Sequence, residues 1–514
     1  MHAKSALRLV AGLGVAGALV ATTAIPAAAR AAAELSIYFG DTTIAADGPG
    51  KTDAVIMHAS EPVVLPEATM KFDATGLAGV ATIAEDQGIN DCTPESEQVL
   101  VCHKPYEIGI DEGGLNGPFD IVLTAAQGAA VDAEGTLKII LSAPGFNSAT
   151  TQARVRVGEG VDLAAGPNAT ASAAPGATFV TPARVRNAGE TVAKGAVALF
   201  FTDYGIRAGT ERFSNCLYDG DAVNACTFER ELAPGTTYGA SVPSRLDPAT
   251  YAPSLEVAEI AWMTPAEFED FTKYLKDNGF SPGQPGTGAV LALNEMAGAT
   301  ARGAQADTDP FNNWSYVEVK VTGTNGVDLE AVGASFDGAA GSTHDVELAV
   351  VNNGPAVLSS GRSGEEITRI KVDVPPGTTT VEVPENCFPT SGDETEWDQP
   401  GKPGARAYLC GAGLFLAPGD KLSYPFGFRI DEVIADANGA ITANAACQCP
   451  TFTHDLDKSN DVAKILVNGT GGGGGGLPVT GASTGIVAAA GALLLLAGGA
   501  GFVIARRRRM RFVA

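Results

Sequence analysis

Asp455, Asp457, Asn460 and Asp461 place four oxygen-bearing side chains within seven residues, and Asp307, Asp309 and Asn312 repeat the arrangement earlier in the chain. Such spacing could gather ligands for calcium, which takes roughly six to eight oxygens. Neither loop has the glycine at a sharp turn or the trailing bidentate glutamate of an EF-hand, whereas Asx turns ahead of a final strand use the same residues. Turn chemistry is therefore the expected role, and no metal ligand is assigned. His58, His103, His344 and His454 form no HExxH or other close ligand pair and read as ordinary core or solvated histidines. "GASTG" around Ser483 has the form of a nucleophile elbow but lies in a C-terminal apolar tail. "GLGVAG" from Gly12 has the form of a dinucleotide fingerprint, but no strand precedes it. No catalytic residue and no cofactor are expected. The segment between Cys387 and Cys410, with Asp393, Glu394, Glu396, Trp397 and Asp398, could present a ligand-binding tip; a solvated loop tied by a disulfide is the simpler reading.

The ends of the chain set the compartment. Lys4 and Arg8 precede an uncharged apolar run from Leu9 to Ile25 and then small residues, the pattern of a signal peptide cleaved after Ala29 or Ala33. Lys4, Arg8, Arg30, Arg506, Arg507, Arg508, Arg509 and Arg511 hold eight of the 34 bases, and the end segments contain no acid, so the middle carries 26 bases against 59 acids. That surplus excludes nucleic acid as a partner. Export places all eight cysteines, at 92, 102, 216, 226, 387, 410, 447 and 449, where disulfides form.

The elements that would carry these residues repeat. "GVDL" at Gly160 returns at Gly326, and each copy continues through a cysteine pair to "LAPG" nine residues after the second cysteine, at Gly235 and Gly419. Each copy ends alike, in "DTDPFNNWSYVEVKV" and "DLDKSNDVAKILV". A more diverged first copy holds "CTPESEQVLVC" and "VDAEGTLKIIL". The repeats favour the pairs Cys92 with Cys102, Cys216 with Cys226 and Cys387 with Cys410; Cys447 and Cys449 would then close a tight ring, or, as a CxC pair, face a metal that no further cluster completes. Val346, Leu348 and Val350, then Ile370, Val372 and Val374, and Val317, Val319 and Val321 alternate with polar residues as strands, with Asn353-Gly354 expected to supply positive φ at a tight turn. One exception is "TPAEFEDFTKYLKDNG": Thr264 as N-cap, Pro265 at the first position, Glu267 three residues on and Gly279 at the end describe a short helix inserted before the last strand of the second copy.

"NNGPA", "VDVPPGTT", the cysteine pair, "LAPGD" and "DLDKSNDVAKILV" together resemble the immunoglobulin-like conserved repeat of bacterial surface proteins, the domain-of-unknown-function family numbered eleven. The likeness is strongest over residues 326 to 468 and weaker towards the N-terminus. It implies an all-β protein of tandem immunoglobulin-like antiparallel sandwiches, used as stalk or adhesion modules without catalytic residues. The expected organisation is a signal peptide at 1–33, sandwiches at 34–158, 159–323 and 324–468, a glycine linker at 469–476 and a sorting segment at 477–514.

That last segment joins Leu477-Pro478-Val479-Thr480-Gly481 to 20 uncharged residues, Ile486 to Ala505, and then to Arg506, Arg507, Arg508 and Arg509. Twenty apolar residues suffice for a transmembrane helix, and the arginines hold its end in the cytoplasm as a stop-transfer signal. The whole resembles the cell-wall sorting region of Gram-positive surface proteins. The resemblance implies that sortase recognises Leu477, Pro478, Thr480 and Gly481, and passes the Thr480 acyl group to an amine of the peptidoglycan precursor. The implied localisation is the cell wall, reached through the membrane. The glycine run before it would span roughly 15–17 Å as a random coil. A polysaccharide-binding module is the alternative function; it would need exposed aromatic platforms, and only Trp262, Trp314 and Trp397 are available in that class. A glycan or protein ligand is left unnamed.

Overall fold

The computed structural model describes residues 33–469 apart from 87–90, 112–113, 296–304, 310, 362–363, 365, 393 and 445–454. Cys447, Cys449, Ala29, Leu477, Pro478, Thr480, Gly481, the apolar run and the arginine block lie outside the described residues. Among the described residues, no helix is long and apolar enough to cross a membrane.

Three β-sandwiches follow one another, and all three have the same strand order. In the first, a four-stranded sheet of Leu35–Tyr38, Lys51–Ala59, Leu115–Ala125 and Ala81–Glu85 faces a larger one ordered Thr42–Ala45, Ala149–Val161, Glu134–Ser142, Ala68–Asp73, Val99–Lys104 and Cys92–Ser96. The second repeats this with Leu163–Ala165, Thr178–Asn187, Thr237–Leu246 and Ile206–Ala208 against Ala169–Ala173, Trp314–Val321, Ser254–Met263, Ala196–Thr202, Ala222–Phe228 and Cys216–Asp219. The third sets Leu329–Val332, Thr343–Asn352, Lys421–Ile430 and Thr378–Glu382 against Ala334–Phe336, Val462–Val467, Ala437–Thr442, Arg369–Asp373, Ala407–Gly411 and Cys387–Ser391.

Period-two alternation builds the cores. Leu137, Ile139 and Leu141 are buried on one face of their strand, as are Val317, Val319 and Val321 on theirs. Large side chains fill the centres: Phe72 and Phe119 in the first sandwich, Trp262 and Tyr238 in the second, Tyr408, Tyr424, Phe426 and Phe428 in the third. Their hydroxyls are used: Tyr424 donates to the Gly411 carbonyl at 2.9 Å, and Tyr238 accepts from the Ala233 amide at 2.8 Å. The disulfides Cys92–Cys102, Cys216–Cys226 and Cys387–Cys410 occupy one topological position, joining directly opposed residues of the hairpin at the edge of the larger sheet, with Cα–Cα distances of 3.9, 4.0 and 3.9 Å. They staple one strand near the end of the sheet to its neighbour rather than one sheet to the other.

The turn after the strand Thr343–Asn352 differs from expectation. Neither Asn353 nor Gly354 has positive φ. Gly354 is needed for close approach instead: a Cβ there would lie 2.5 Å from the Asp328 nitrogen and 2.6 Å from the Val327 Cα. The turn is held by fully buried Asn352, whose Nδ2 donates to the Ala356 carbonyl at 2.7 Å and to Leu416 at 3.2 Å, while its Oδ1 accepts from the Gly354 amide at 3.1 Å. Buried Asn187 does the same in the second copy, donating to Thr191 and Leu232 and accepting from the Gly189 amide. Its backbone carbonyl accepts from Gly235 of the first "LAPG" turn at 2.7 Å, as that of Asn352 accepts from Gly419 of the second at 2.7 Å. Each asparagine thus ties its own turn to the distant "LAPG" turn. Replacing Asn352 by Leu strips two buried carbonyls and a buried amide of the bonds Asn352 gives them, and should destabilise the third sandwich by on the order of 3 kcal/mol, read as an earlier urea transition of that domain; an unchanged midpoint would refute this role.

Candidate functional site

The most elaborate polar constellation lies where the first sandwich meets the second, and the inserted helix makes it. Thr264 caps the helix Pro265–Asp277 in a full capping box with Glu267: the Glu267 amide donates to Thr264 Oγ1 at 3.2 Å and the Thr264 amide to Glu267 Oε2 at 3.1 Å. Asn278 closes the helix, and Gly279 follows with φ of 79°. With the first turn fixed, Asp270 is carried against the first sandwich, where it is 4% exposed. Thr43 Oγ1 donates to its Oδ2 at 2.6 Å and Arg154 Nη2 meets its Oδ1 at 2.8 Å, with Arg156 Nη2 at 3.9 Å. Burial pushes the Asp270 carboxyl up, against the Thr43 bond and the two arginines.

Around this centre, Arg154 also reaches Glu134 at 3.0 Å and Asp41 at 3.5 Å, and Arg156 reaches Glu269 at 3.6 Å. Tyr38 packs on Tyr274 with ring centroids 5.5 Å apart and donates to Asp277 at 3.2 Å. The backbone continues the contact. The strand Ala149–Val161 pairs inside the first sandwich over most of its length. Its last residues, Glu159–Val161, pair in parallel with Gln305–Asp307, the segment returning from the insertion. Gln305, 2% exposed, donates to the Val192 carbonyl at 2.8 Å and accepts from the Lys194 amide. Only Asp162 separates this strand from Leu163–Ala165, so no free linker exists at this joint.

The acidic turns lie at the seam where each domain's opening residues meet its closing loop. Asp307 accepts from the amides of Leu163 at 2.9 Å and Asp309 at 2.8 Å; Asp455 accepts from those of Leu329 at 3.3 Å and Asp457 at 3.1 Å. Asn312 donates to Asp162 and Asn460 to Asp328, the aspartates of the two "GVDL" segments. Asp457 accepts from the Ser459 amide at 3.0 Å. The oxygens counted as possible calcium ligands therefore tie backbone to backbone, and no group of three metal-ligating side chains occurs among the described residues. Among these Asp and Asn positions the copies differ at the last. Asn313 hydrogen-bonds to Asp307 in the second, whereas Asp461 stands beside Asp455 in the third, and burial followed by the Asp455 charge pushes Asp461 up to about 7. Burial and then Glu267 push Asp307 up to about 6.

The remaining candidates are spread over the surface. Trp397 is 53% exposed at the tip between Cys387 and Cys410, held by Phe388 at 5.1 Å and the Arg369 guanidinium at 4.8 Å. Trp262 is buried and Trp314 stacks on Phe201, so the tryptophans form no shared platform. His103 lies 3.1 Å from Thr69 Oγ1 and His344 3.0 Å from Ser342 Oγ, while burial holds His58 below its usual range. Asp393 and His454 lie outside the described residues. Sequence reading missed Arg154, Arg156 and the buried asparagines. The "RVR" spacing puts both arginines on one strand face and "EFED" puts acids on one turn, a charge complement that becomes a contact only once the helix is placed.

No family model and no curated protein matches the chain. Solved structures similar to it include a cohesin module from a Clostridium perfringens family 33 glycoside hydrolase, 14% identical over 25% of this chain and 97% of that one, TM-score 0.17. A three-immunoglobulin-domain titin fragment is 8% identical over 86% and 99%, TM-score 0.16. The Enterococcus faecalis MSCRAMM ACE, described as binding its ligands by the collagen hug, is 10% identical over 57% and 97%, TM-score 0.17. These values carry no inference about ligand or activity; the sandwich architecture rests on the strand orders themselves.

Two outcomes are expected. Asp270→Ala removes the acceptor shared by Thr43, Arg154 and Arg156, and should speed amide exchange about tenfold in the helix and in Glu159–Val161. Exchange in Ala68–Asp73 should stay unchanged; equal acceleration there would mean global destabilisation instead. The second concerns pH. A carboxyl whose pKa is higher folded than unfolded holds its proton more tightly when folded, so its contribution is fully present below about pH 4 and is lost as pH rises towards the folded value. For Asp461 that loss runs up to about 7. Asp461→Asn, which installs the residue of the sister copy, should stabilise the third sandwich at pH 8 by on the order of 1 kcal/mol and change little at pH 4. Equal melting temperatures for variant and parent at pH 8 would contradict it.

Proposed function

We propose that this chain is an exported, non-enzymatic surface protein, joined covalently to peptidoglycan and presenting three sandwiches as a stiff stalk or adhesin. The observation that carries the reading is the succession of Leu477-Pro478-Val479-Thr480-Gly481, an uncharged run from Ile486 to Ala505 and Arg506 to Arg509. Each part has a separate physical task. The apolar run halts the exported chain in the membrane, the arginines keep its end inside, and the pentapeptide waits on the outer side.

Pro478 fixes φ and gives an extended peptide a bend, and Gly481 leaves the following bond uncrowded. The sortase thiolate attacks the Thr480 carbonyl carbon, the Thr480–Gly481 bond breaks, and the Gly481 amine leaves with the membrane tail. An amine of the peptidoglycan precursor then attacks the thioester, forms a new amide with Thr480 and returns the thiolate. The glycine run Gly471–Gly476 keeps this peptide clear of the last sandwich. Support for a stalk comes from the end-to-end sandwiches, the absence of a free linker at Asp162 and the clamp around Asp270.

Thr480→Ala should shift the protein from muramidase-released wall material to the membrane fraction by tenfold or more (on the order of 1.4 kcal/mol in the acylation barrier, at least). Recovery of the variant still bonded to peptidoglycan would overturn the anchoring.

A further inference from the structure

In every sandwich, the opening strand of the larger sheet lies parallel to the closing strand. Thr42–Ala45 runs beside Val155–Gly158, Ala169–Ala173 beside Val317–Val321, and Ala334–Phe336 beside Ile465–Val467. Within the sandwiches the other strand ladders are antiparallel. We infer that the protein bears tension along its length, each sandwich resisting extension through its parallel pair of terminal strands.

The geometry determines how force enters. The chain reaches the opening strand at that strand's start and leaves the closing strand at its end. Two parallel neighbours pulled from those points slide past each other along their own axes. Their inter-strand hydrogen bonds, which cross the gap between them, are then loaded together and must fail together; a hairpin pulled from its open end would lose them one at a time. Forced unfolding is governed by the rate of crossing that barrier, not by equilibrium stability. The short strands Leu35–Tyr38, Leu163–Ala165 and Leu329–Val332, which precede the parallel pairs, belong to the opposite sheet and can peel away while the pair holds.

Two further features suit such a role. The disulfides lie inside the extensible length of each domain and withhold 10, 10 and 23 residues of chain from any extension. At the first joint, Arg154 and Arg156 sit on the closing strand itself and are held by Asp270 of the next domain, so tension passes between domains through a clamped contact. The parallel registers contain four, five and three residue pairs in the first, second and third sandwiches, which ranks the third weakest and the second strongest.

The inference does not depend on how the C-terminus is attached: a failure of sortase anchoring would leave it intact. The test is single-molecule extension of residues 34–476 held at both ends with disulfides formed. At roughly 3.6 Å per residue freed, the second sandwich should lengthen the chain by about 510 Å, the third by about 400 Å and the first by about 380 Å. Reduction of the unfolded chain adds about 80 Å for the third and about 36 Å for each of the others, which tells the first from the third. The third should yield first and the second last.

Ala173 accepts from the Thr322 amide at 2.8 Å, so Ala171, two residues earlier on this edge strand, is in the same ladder phase and turns its N–H towards Val317–Val321; Thr170 turns its own to solvent. Ala171→Pro should bring the 510 Å step from last place to first, and Thr170→Pro should leave it last. If Ala171→Pro abolishes the step by unfolding the domain, the unsubstituted strand is tested by pulling between the N-terminus and a handle at exposed Asp219, which leaves the closing strand unloaded. The second sandwich should then open at lower force than when pulled end to end. An unchanged order with Ala171→Pro, the same reordering with Thr170→Pro, or equal forces in the two pulling directions would each overturn the inference.

Discussion

The parallel pairing of each domain's opening and closing strands is the constraint from which the rest of the molecule follows. An antiparallel pair would return the chain to the end where it entered. The parallel pair delivers it to the opposite end, so successive sandwiches are strung head to tail and each joint is made by segments that end one domain and begin the next. This is why Asp162 alone can separate the first two domains. It also explains why the acidic turns matter: Asp307 and Asp455 precede the closing strands and accept from Leu163 and Leu329 at the domain openings, fixing each domain's entrance relative to the start of its closing strand.

The two joints solve the same problem by different means. The first uses charge and sheet continuity. In a chain so rich in acids, Arg154 and Arg156 are placed where Asp270 and its neighbours would otherwise repel the first sandwich. Exposed ion pairs contribute little, about 0–1 kcal/mol each. The 4%-exposed Asp270 differs because its desolvation is offset only in one docked geometry, with Thr43 donating at 2.6 Å. Such a group selects an arrangement more than it adds stability. The second joint is made by uncharged groups: the Val357 amide donates to the Ala249 carbonyl at 2.8 Å, Asn325 bonds Thr250 and Ala252, and Tyr204, with the Arg207 guanidinium on its ring, meets Phe415 edge-on at 4.6 Å.

Covalent and polar fastenings fall in complementary places. The disulfides secure the outer strands of the larger sheet, far from the terminal strands, while Asn187 and Asn352 secure the turn after the third strand of the second and third sandwiches. A sandwich with few aromatic residues relies on such fastenings because its aliphatic faces are similar and could slip in register. The buried amides permit one turn geometry, and the opposed cysteines permit one hairpin register.

Local chemistry was legible in the sequence. Alternation at Val346, Leu348 and Val350 or at Val317, Val319 and Val321 declares a strand because side-chain direction has period two whatever the fold. Thr264, Pro265 and Glu267 declare a helix start because the capping box closes within four residues. The recurrence of "GVDL", a cysteine pair and "LAPG" declared a repeated domain, and the sorting role proposed for Leu477 to Gly481 rests on a linear motif, whose reading needs no fold. Long-range pairings were not legible. That Gly354 serves close approach rather than positive φ depends on Val327 and Asp328 passing beneath it. That Asp270 meets Arg154 and Arg156, more than 110 residues away, depends on where the helix docks. The direction in which first and last strands pair was decided by tertiary structure alone, because hydrophobic alternation is identical for parallel and antiparallel neighbours and only the path of the whole chain between them distinguishes the two.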